Sequence, residues 1–203
     1  VDFENPEWAR CINFARAARG YELMAVSSSY DDATGMITLT HPKLKTLTVN
    51  PNTDGPALVD WVAQISNPDR AMPARVLKAD RGLTDSSEQS LSIHATASLD
   101  DLSKTLGQPL DQRRFRGNIW LDGFDAWSEF DWIGKSIRIG TAEFEITKPV
   151  ERCMATTVNP DTGVSDADTL GTLNGKYGHQ DFGVYGVVTK SGIVNTGDKA
   201  ELI

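Results

Sequence analysis

Apolar and polar positions change period several times along the 203-residue chain, and each change predicts an element. Trp8, Ile12 and Ala15 recur at helical spacing. With Asn5 as N-cap, Pro6 at the first helical position, Glu7 in the first turn and Gly20 as the stop, residues 5–19 are expected to form a short helix. Residues 21–28 and 36–40 read as strands joined through 30–35, a hairpin connection with Gly35 at the left-handed position. A strand over 46–49 follows, then a helix over 54–65 with Trp61, Val62 and Ile65 on one face, ended by Asn67-Pro68-Asp69. Residues 75–78 predict a further short strand.

From Asp80 the character changes. A polar loop over 80–87 leads into a strand over 91–94. Ser98 is expected to cap a helix running to Leu106, with Asp100 and Asp101 in its first turn and Gly107 as its stop. The remainder predicts short strands at 114–121, 136–139, 142–148, 154–158, 183–189 and 198–202, with a weak helix over 166–174. Asp122-Gly123, Gly134, Gly140, Pro149, Gly163, Ser191-Gly192 and Gly197-Asp198 punctuate them. Many short strands at this spacing suggest an antiparallel barrel, so the expected fold class is mainly β with a few short helices, α+β overall.

Composition narrows the class without changing it. Hydrophobic residues make up 39% and charged residues 24%, as in a folded globular protein. A net charge of -8 and a pI near 4.8 argue against nucleic acid or a membrane surface as partner. No apolar run approaches the roughly 20 residues that span a bilayer, and no signal peptide is visible. Cys11 and Cys153 fit neither a zinc spacing nor a disulfide framework, so a reducing cytoplasm is the default expectation. The chain enters Asn5-Pro6-Glu7-Trp8 directly from Val1, which looks like the interior of a longer protein.

Two stretches carry candidate chemistry. Arg113-Arg114-Phe115-Arg116-Gly117-Asn118 is a basic exception in an acidic chain. Drawn as a strand, it turns Arg114, Arg116 and Asn118 to one face and Phe115 to the other. Two guanidinium forks and a carboxamide could hold an anionic, oxygen-rich ligand. The bland alternative is a solvated strand edge, with Asp111, Asp122 or Asp125 as surface partners. Arg152-Cys153 is the second stretch. A basic neighbour favours the thiolate, either a nucleophile or a soft metal ligand; the competing view is a small buried hydrophobe. His94 reads as a core or helix-entry histidine, and His41 and His179 as exposed turn residues. There is no Gly-x-Ser-x-Gly elbow, P-loop or dinucleotide fingerprint.

Taken in order, these pieces resemble the MOSC domain, the module named after the C-terminal part of molybdenum cofactor sulfurase. The similar segments are Thr84-Asp85-Ser86, Ser92-Ile93-His94 through Ala97-Ser98-Leu99, Arg114-Phe115-Arg116-Gly117-Asn118, Ile139-Gly140, Arg152-Cys153, Thr156 through Gly163, Phe182-Gly183-Val184-Tyr185 and Gly197-Asp198. The resemblance covers residues 80–203 as a MOSC-type β-barrel. Residues 1–79 look like the latter part of the smaller β-barrel domain that precedes MOSC in many members, without its opening section.

The resemblance implies a molybdenum cofactor, a pterin dithiolene bearing a phosphate. Cys153 would ligate molybdenum as the catalytic residue. Arg116 and Asn118, with Arg114, would bind the pterin or its phosphate, and Asp85 and Ser86 would lie near further polar contacts. Gly117 departs from the family's usual proline. The implied activity is an oxidoreductase that reduces N-hydroxylated small-molecule substrates, with electrons from a separate donor protein. The alternative is a sulfur carrier bearing a persulfide on Cys153 and loaded by a separate sulfur donor. Pyridoxal phosphate is not supported by any residue pattern.

Overall fold

The structure is a computed structural model describing residues 8–78, 82, 84 and 86–203. It divides into two compact units. The first comprises the described residues up to Ser87 together with Thr157–Ala167; the second comprises Glu88–Thr156 and Asp168–Ile203.

The first unit holds an antiparallel sheet of β1 (Ser27–Asp31), β2 (Met36–His41) and β3 (Leu44–Val49), in that order, and the helix α1 (Gly55–Ala63). Gly35 adopts φ +68, as the hairpin requires. Asp31 braces that turn, accepting from Ala33 N at 2.9 Å and Thr34 Oγ1 at 2.8 Å. Trp61 of α1 packs with Leu39 and Ile65 in a small core and donates its indole N–H to the Lys45 carbonyl.

The helix expected over 5–19 does not form among the described residues. Cys11–Asn13 make a single 3-10 turn, and Phe14 is already extended. Ile12 and Phe14 stay exposed, so the apolar spacing has no core to bury against, and so short a helix has little stability without one. Tyr21–Ala25 is a 3-10 turn rather than a strand, with the adjacent residues Met24 and Ala25 both buried. Residues 75–78 form no strand.

The second unit is a curled six-stranded half-barrel, ordered β5-β4-β8-β7-β6-β9. Its strands are β4 (Leu91–Ala95), β5 (Ile119–Leu121), β6 (Ser136–Ile139), β7 (Ala142–Glu151), β8 (Asp181–Lys190) and β9 (Ala200–Leu202). Pairing is antiparallel except between β4 and β5, which run parallel. A parallel pair needs a crossover, and α2 (Thr96–Leu106) supplies it. Ile93, Trp132, Ile137, Phe144, Ile146 and Val184 form the main core. β7 runs through Pro149 to Glu151 instead of stopping at 148. Register shifts on either side absorb the proline, which cannot donate to the ladder.

Ser98 is not the cap of α2. The helix starts at Thr96, and Ser98 Oγ donates to buried Glu129 at 2.8 Å while accepting from Trp127 N. Gly107 ends α2 in the left-handed conformation. The helix expected over 166–174 is α3 (Thr169–Tyr177), with the Asp168 side chain accepting from Gly171 N. Among the described residues no helix is long and apolar enough to cross a membrane.

Asp101 ties α2 to α3. Its Oδ2 accepts from Tyr177 OH at 2.6 Å, Trp127 Nε1 at 2.8 Å and Lys176 Nζ at 3.1 Å. These bonds, Tyr177 first, hold the carboxyl down at about 2. A carboxylate with a depressed folded pKa stabilises the fold above its unfolded value, and that contribution fades as pH falls through the folded value. Asp101→Asn is therefore expected to cost about 1 kcal/mol at pH 7, a figure already discounted for partial exposure. In urea titrations the difference from wild type should narrow steadily as pH drops toward 2.

Candidate functional site

β4 positions the site because successive side chains alternate between its faces. Ile93 enters the core, while Ser92 and His94 face the loop that follows α2. That loop is not a strand. Gln112–Phe115 form a 3-10 turn and Arg116 closes it at φ 50, ψ 37. Arg114, Arg116 and Asn118 thus do not share a strand face, because the backbone turns before β5 begins. Asp111 starts the turn by accepting from Arg113 N and gripping the Arg113 guanidinium at 2.6–3.1 Å.

The loop residues have separate environments. Arg114 is buried at 5% exposure, whereas Arg116 is exposed. Among the described residues no acidic side chain pairs with Arg116. Asn118 Oδ1 accepts from Ser92 N at 2.9 Å and Ser92 Oγ at 3.1 Å, and Asn118 N donates to Ser92 Oγ. Its carboxamide oxygen therefore pins the loop to β4 and leaves only the amide N–H groups for a ligand.

Arg152, just past the end of β7, reaches back to the same loop. Its Nε and Nη2 donate to the Phe182 carbonyl at 2.8 and 2.6 Å, and Nη1 donates to the Phe115 carbonyl at 2.9 Å. Nη2 also lies 3.2 Å from His94 Nε2. A guanidinium can only donate, so His94 Nε2 must accept and the ring proton sits on Nδ1. His94 is fully buried, and burial first, then the Arg152 charge, pushes its pKa well down. It is held as neutral imidazole, stacked against both Trp120 at 4.6 Å and Phe182 at 5.5 Å.

Two glycines make room for that ring. A Cβ on Gly117 would lie 2.5 Å from His94 Cδ2 and 2.7 Å from Trp120 Nε1; one on Gly183 would lie 2.1 Å from His94 Nδ1. Gly183 also takes φ +77 where β8 carries an extra residue against β7. Proline at 117 would supply the forbidden Cβ and push Arg116 toward extended backbone, away from its left-handed conformation. Glycine at 117 therefore leaves both the His94 ring and the left-handed Arg116 their room.

Cys153 follows Arg152 directly and is an exposed free thiol, not a small buried hydrophobe. Its carbonyl accepts from Thr156 N and Oγ1, both at 3.1 Å, within a 3-10 turn that replaces the strand expected over 154–158. The Arg152 guanidinium is directed at the loop and His94. Ser86 belongs to the first unit, where its carbonyl accepts from Thr84 Oγ1 at 2.6 Å. Asp85 lies outside the described residues. Sequence reasoning missed Arg152 and His94 as partners; the signal was a histidine on an otherwise small-polar strand face and an arginine beside the cysteine.

Among the described residues no three His, Cys, Asp or Glu side chains gather to hold a metal ion. The donor set is one accessible soft thiol, one exposed guanidinium and loop N–H groups. That set fits an anionic group bringing its own metal ligands and taking one sulfur from the protein.

The MOSC domain family matches residues 80–201. Mitochondrial amidoxime-reducing component 1 of Homo sapiens is 34% identical over 123 residues, covering 55% of this chain and 36% of that protein. Mitochondrial amidoxime reducing component 2 of Macaca fascicularis is 36% identical over 121 residues, covering 53% and 35%. Molybdenum cofactor sulfurase 2 of Culex quinquefasciatus is 35% identical over 89 residues, covering 42% and 11%. The match thus spans about a third, or less, of these relatives. Among solved structures, YiiM from Geobacillus stearothermophilus superposes with a TM-score of 0.42 at 17% identity, covering 56% of this chain and 53% of that one.

The glycine contacts yield a double-mutant test. Gly117→Ala alone should lose about 1–3 kcal/mol through overpacking against His94 and Trp120. In the His94→Ala background the same change should cost at least about 1 kcal/mol less, because the ring it meets is gone. Equilibrium denaturation of the four proteins in the cycle measures that coupling.

Proposed function

Because the chain belongs to the MOSC domain family, we propose that it binds a molybdenum–pterin cofactor and acts as an oxidoreductase on N-hydroxylated small molecules. The observation that carries this proposal is the exposed Cys153 thiol, placed one residue after the arginine that holds the Arg116 loop. Cys153 would supply the thiolate to molybdenum, and Arg116 would neutralise the cofactor's phosphate or pterin oxygens, aided by the Asn118 amide. Arg114, Ser86 and Asp85 are proposed as further polar contacts. The cofactor, when bound, supplies the two-electron redox couple.

The net reaction cleaves an N–O bond, consumes two electrons and two protons, and yields the N–H product and water. The electrons come from a separate donor protein. Names of relatives support the substrate class, since two are amidoxime-reducing components. The −8 charge of the chain would repel anionic substrates at long range and suits neutral or cationic N-hydroxylated bases.

A second proposal follows from the same exposed thiol and the likeness to a cofactor sulfurase: Cys153 carries a persulfide to a metal–sulfur centre. Analysis of protein from a cofactor-making host separates the two. Near-stoichiometric molybdenum and pterin, lost in Cys153→Ser and reduced about tenfold or more in Arg116→Ala, is expected for the oxidoreductase. Persulfide on Cys153 with neither molybdenum nor pterin would leave only the carrier.

A further inference from the structure

Arg152 has no assigned role in binding or turnover, yet it makes the densest set of polar contacts described around the loop. Its donors reach the Phe115 carbonyl at 2.9 Å, the Phe182 carbonyl at 2.6 and 2.8 Å and His94 Nε2 at 3.2 Å. Its own N–H donates to the Gln180 carbonyl at 2.9 Å. Phe115 immediately precedes Arg116, and Arg152 immediately precedes Cys153. The guanidinium therefore grips the carbonyl next to Arg116 from a residue that itself adjoins Cys153.

We infer that Arg152 is a positioning residue, setting the Arg116 loop and the Cys153 thiol at a fixed separation with His94 as the neutral acceptor that orients it. The inference rests on the cofactor-binding proposal for its purpose, though its geometry does not. Three features argue that the grip is specific. A planar fork is needed to reach two carbonyls and an imidazole at once, which a lysine ammonium on a flexible stem cannot do. The Phe115 and Phe182 rings stack on each other 4.1 Å apart, and the guanidinium lies beside the pair at 5.7 and 6.0 Å, so this wall limits the paths it can take. Gly117 and Gly183 surrender their side chains to seat His94, whose Nδ1 has no hydrogen-bond partner despite full burial. An orphaned donor is costly to bury, and His94 endures it while its other nitrogen faces Arg152.

The test compares Arg152→Lys with Ile146→Ala, a core truncation that lowers stability and removes none of the polar contacts of the grip. Full-length proteins are expressed in a cofactor-making host and assayed for molybdenum and pterin per chain, unfolding midpoint, and amide hydrogen exchange. Arg152→Lys is expected to retain about tenfold less molybdenum and pterin while Ile146→Ala stays within about twofold of wild type. Retention within about twofold of wild type in Arg152→Lys, or equal loss in both variants, would overturn the inference.

If wild type itself carries neither molybdenum nor pterin, the cofactor proposal falls and exchange decides the positioning role separately. Exchange at 113–118 and at 153–157 should then accelerate together by about tenfold in Arg152→Lys and not in Ile146→Ala. Acceleration of one segment alone, or of neither, refutes it. Should Arg152→Lys not fold, His94→Gln and His94→Leu replace it. Gln keeps an acceptor for Arg152 and should hold both segments, whereas Leu should release them; identical behaviour of the two would also count against the inference.

Discussion

The second unit's polar face depends on a single guanidinium bridging segments far apart in sequence. Arg152 links the end of β7 to the carbonyls of Phe115 and Phe182 and to the imidazole of His94. Each carbonyl belongs to a place where regular pairing is interrupted: the turn before β5 and the bulge in β8. Such places leave backbone acceptors that sheet hydrogen bonds cannot satisfy, and a charged fork meets several at once. The arginine is half-buried, and carbonyl dipoles and an imidazole lone pair face its guanidinium.

The arrangement works because two positions have no side chain. Gly117 and Gly183 let a histidine pack closely against Trp120 and Phe182. Burial and the nearby guanidinium both disfavour its protonation, and only the neutral ring can accept from Arg152. Loop shape, ring stacking and protonation state thus constrain one another. The left-handed Arg116 follows from the same set, since a glycine after it leaves that conformation open.

Around this rigid base the candidate functional groups are accessible. Cys153 is an exposed thiol in a residue type that is usually buried. Arg116 is an exposed cation in a chain of net charge -8, so it stands out locally against an acidic background. Asn118 fastens the loop to Ser92 through its carboxamide oxygen and keeps its amide N–H groups accessible. Fasteners beneath accessible donors are what the proposed binding of a bulky anionic group at the Cys153 sulfur would demand.

The mainly β class, β2, β3, β4, β6 and α1 to within a few residues, the hairpin at Gly35 and the stop at Gly107 were legible in the sequence. Local periodicity and turn chemistry determine such features. The order of motifs from Thr84 to Asp198 also identified the family, and it put Cys153 and Arg116 forward as candidate groups. Three things were decided only by tertiary structure. The 112–118 segment turns rather than extends, because Asp111 and Arg152 satisfy its backbone in place of a strand partner. The residues around Cys11 do not make a helix, because helical spacing without a core to face does not hold one. And the pairing of Arg152 with His94 joins positions 58 residues apart, a contact that no local pattern encodes and that only the half-barrel brings together.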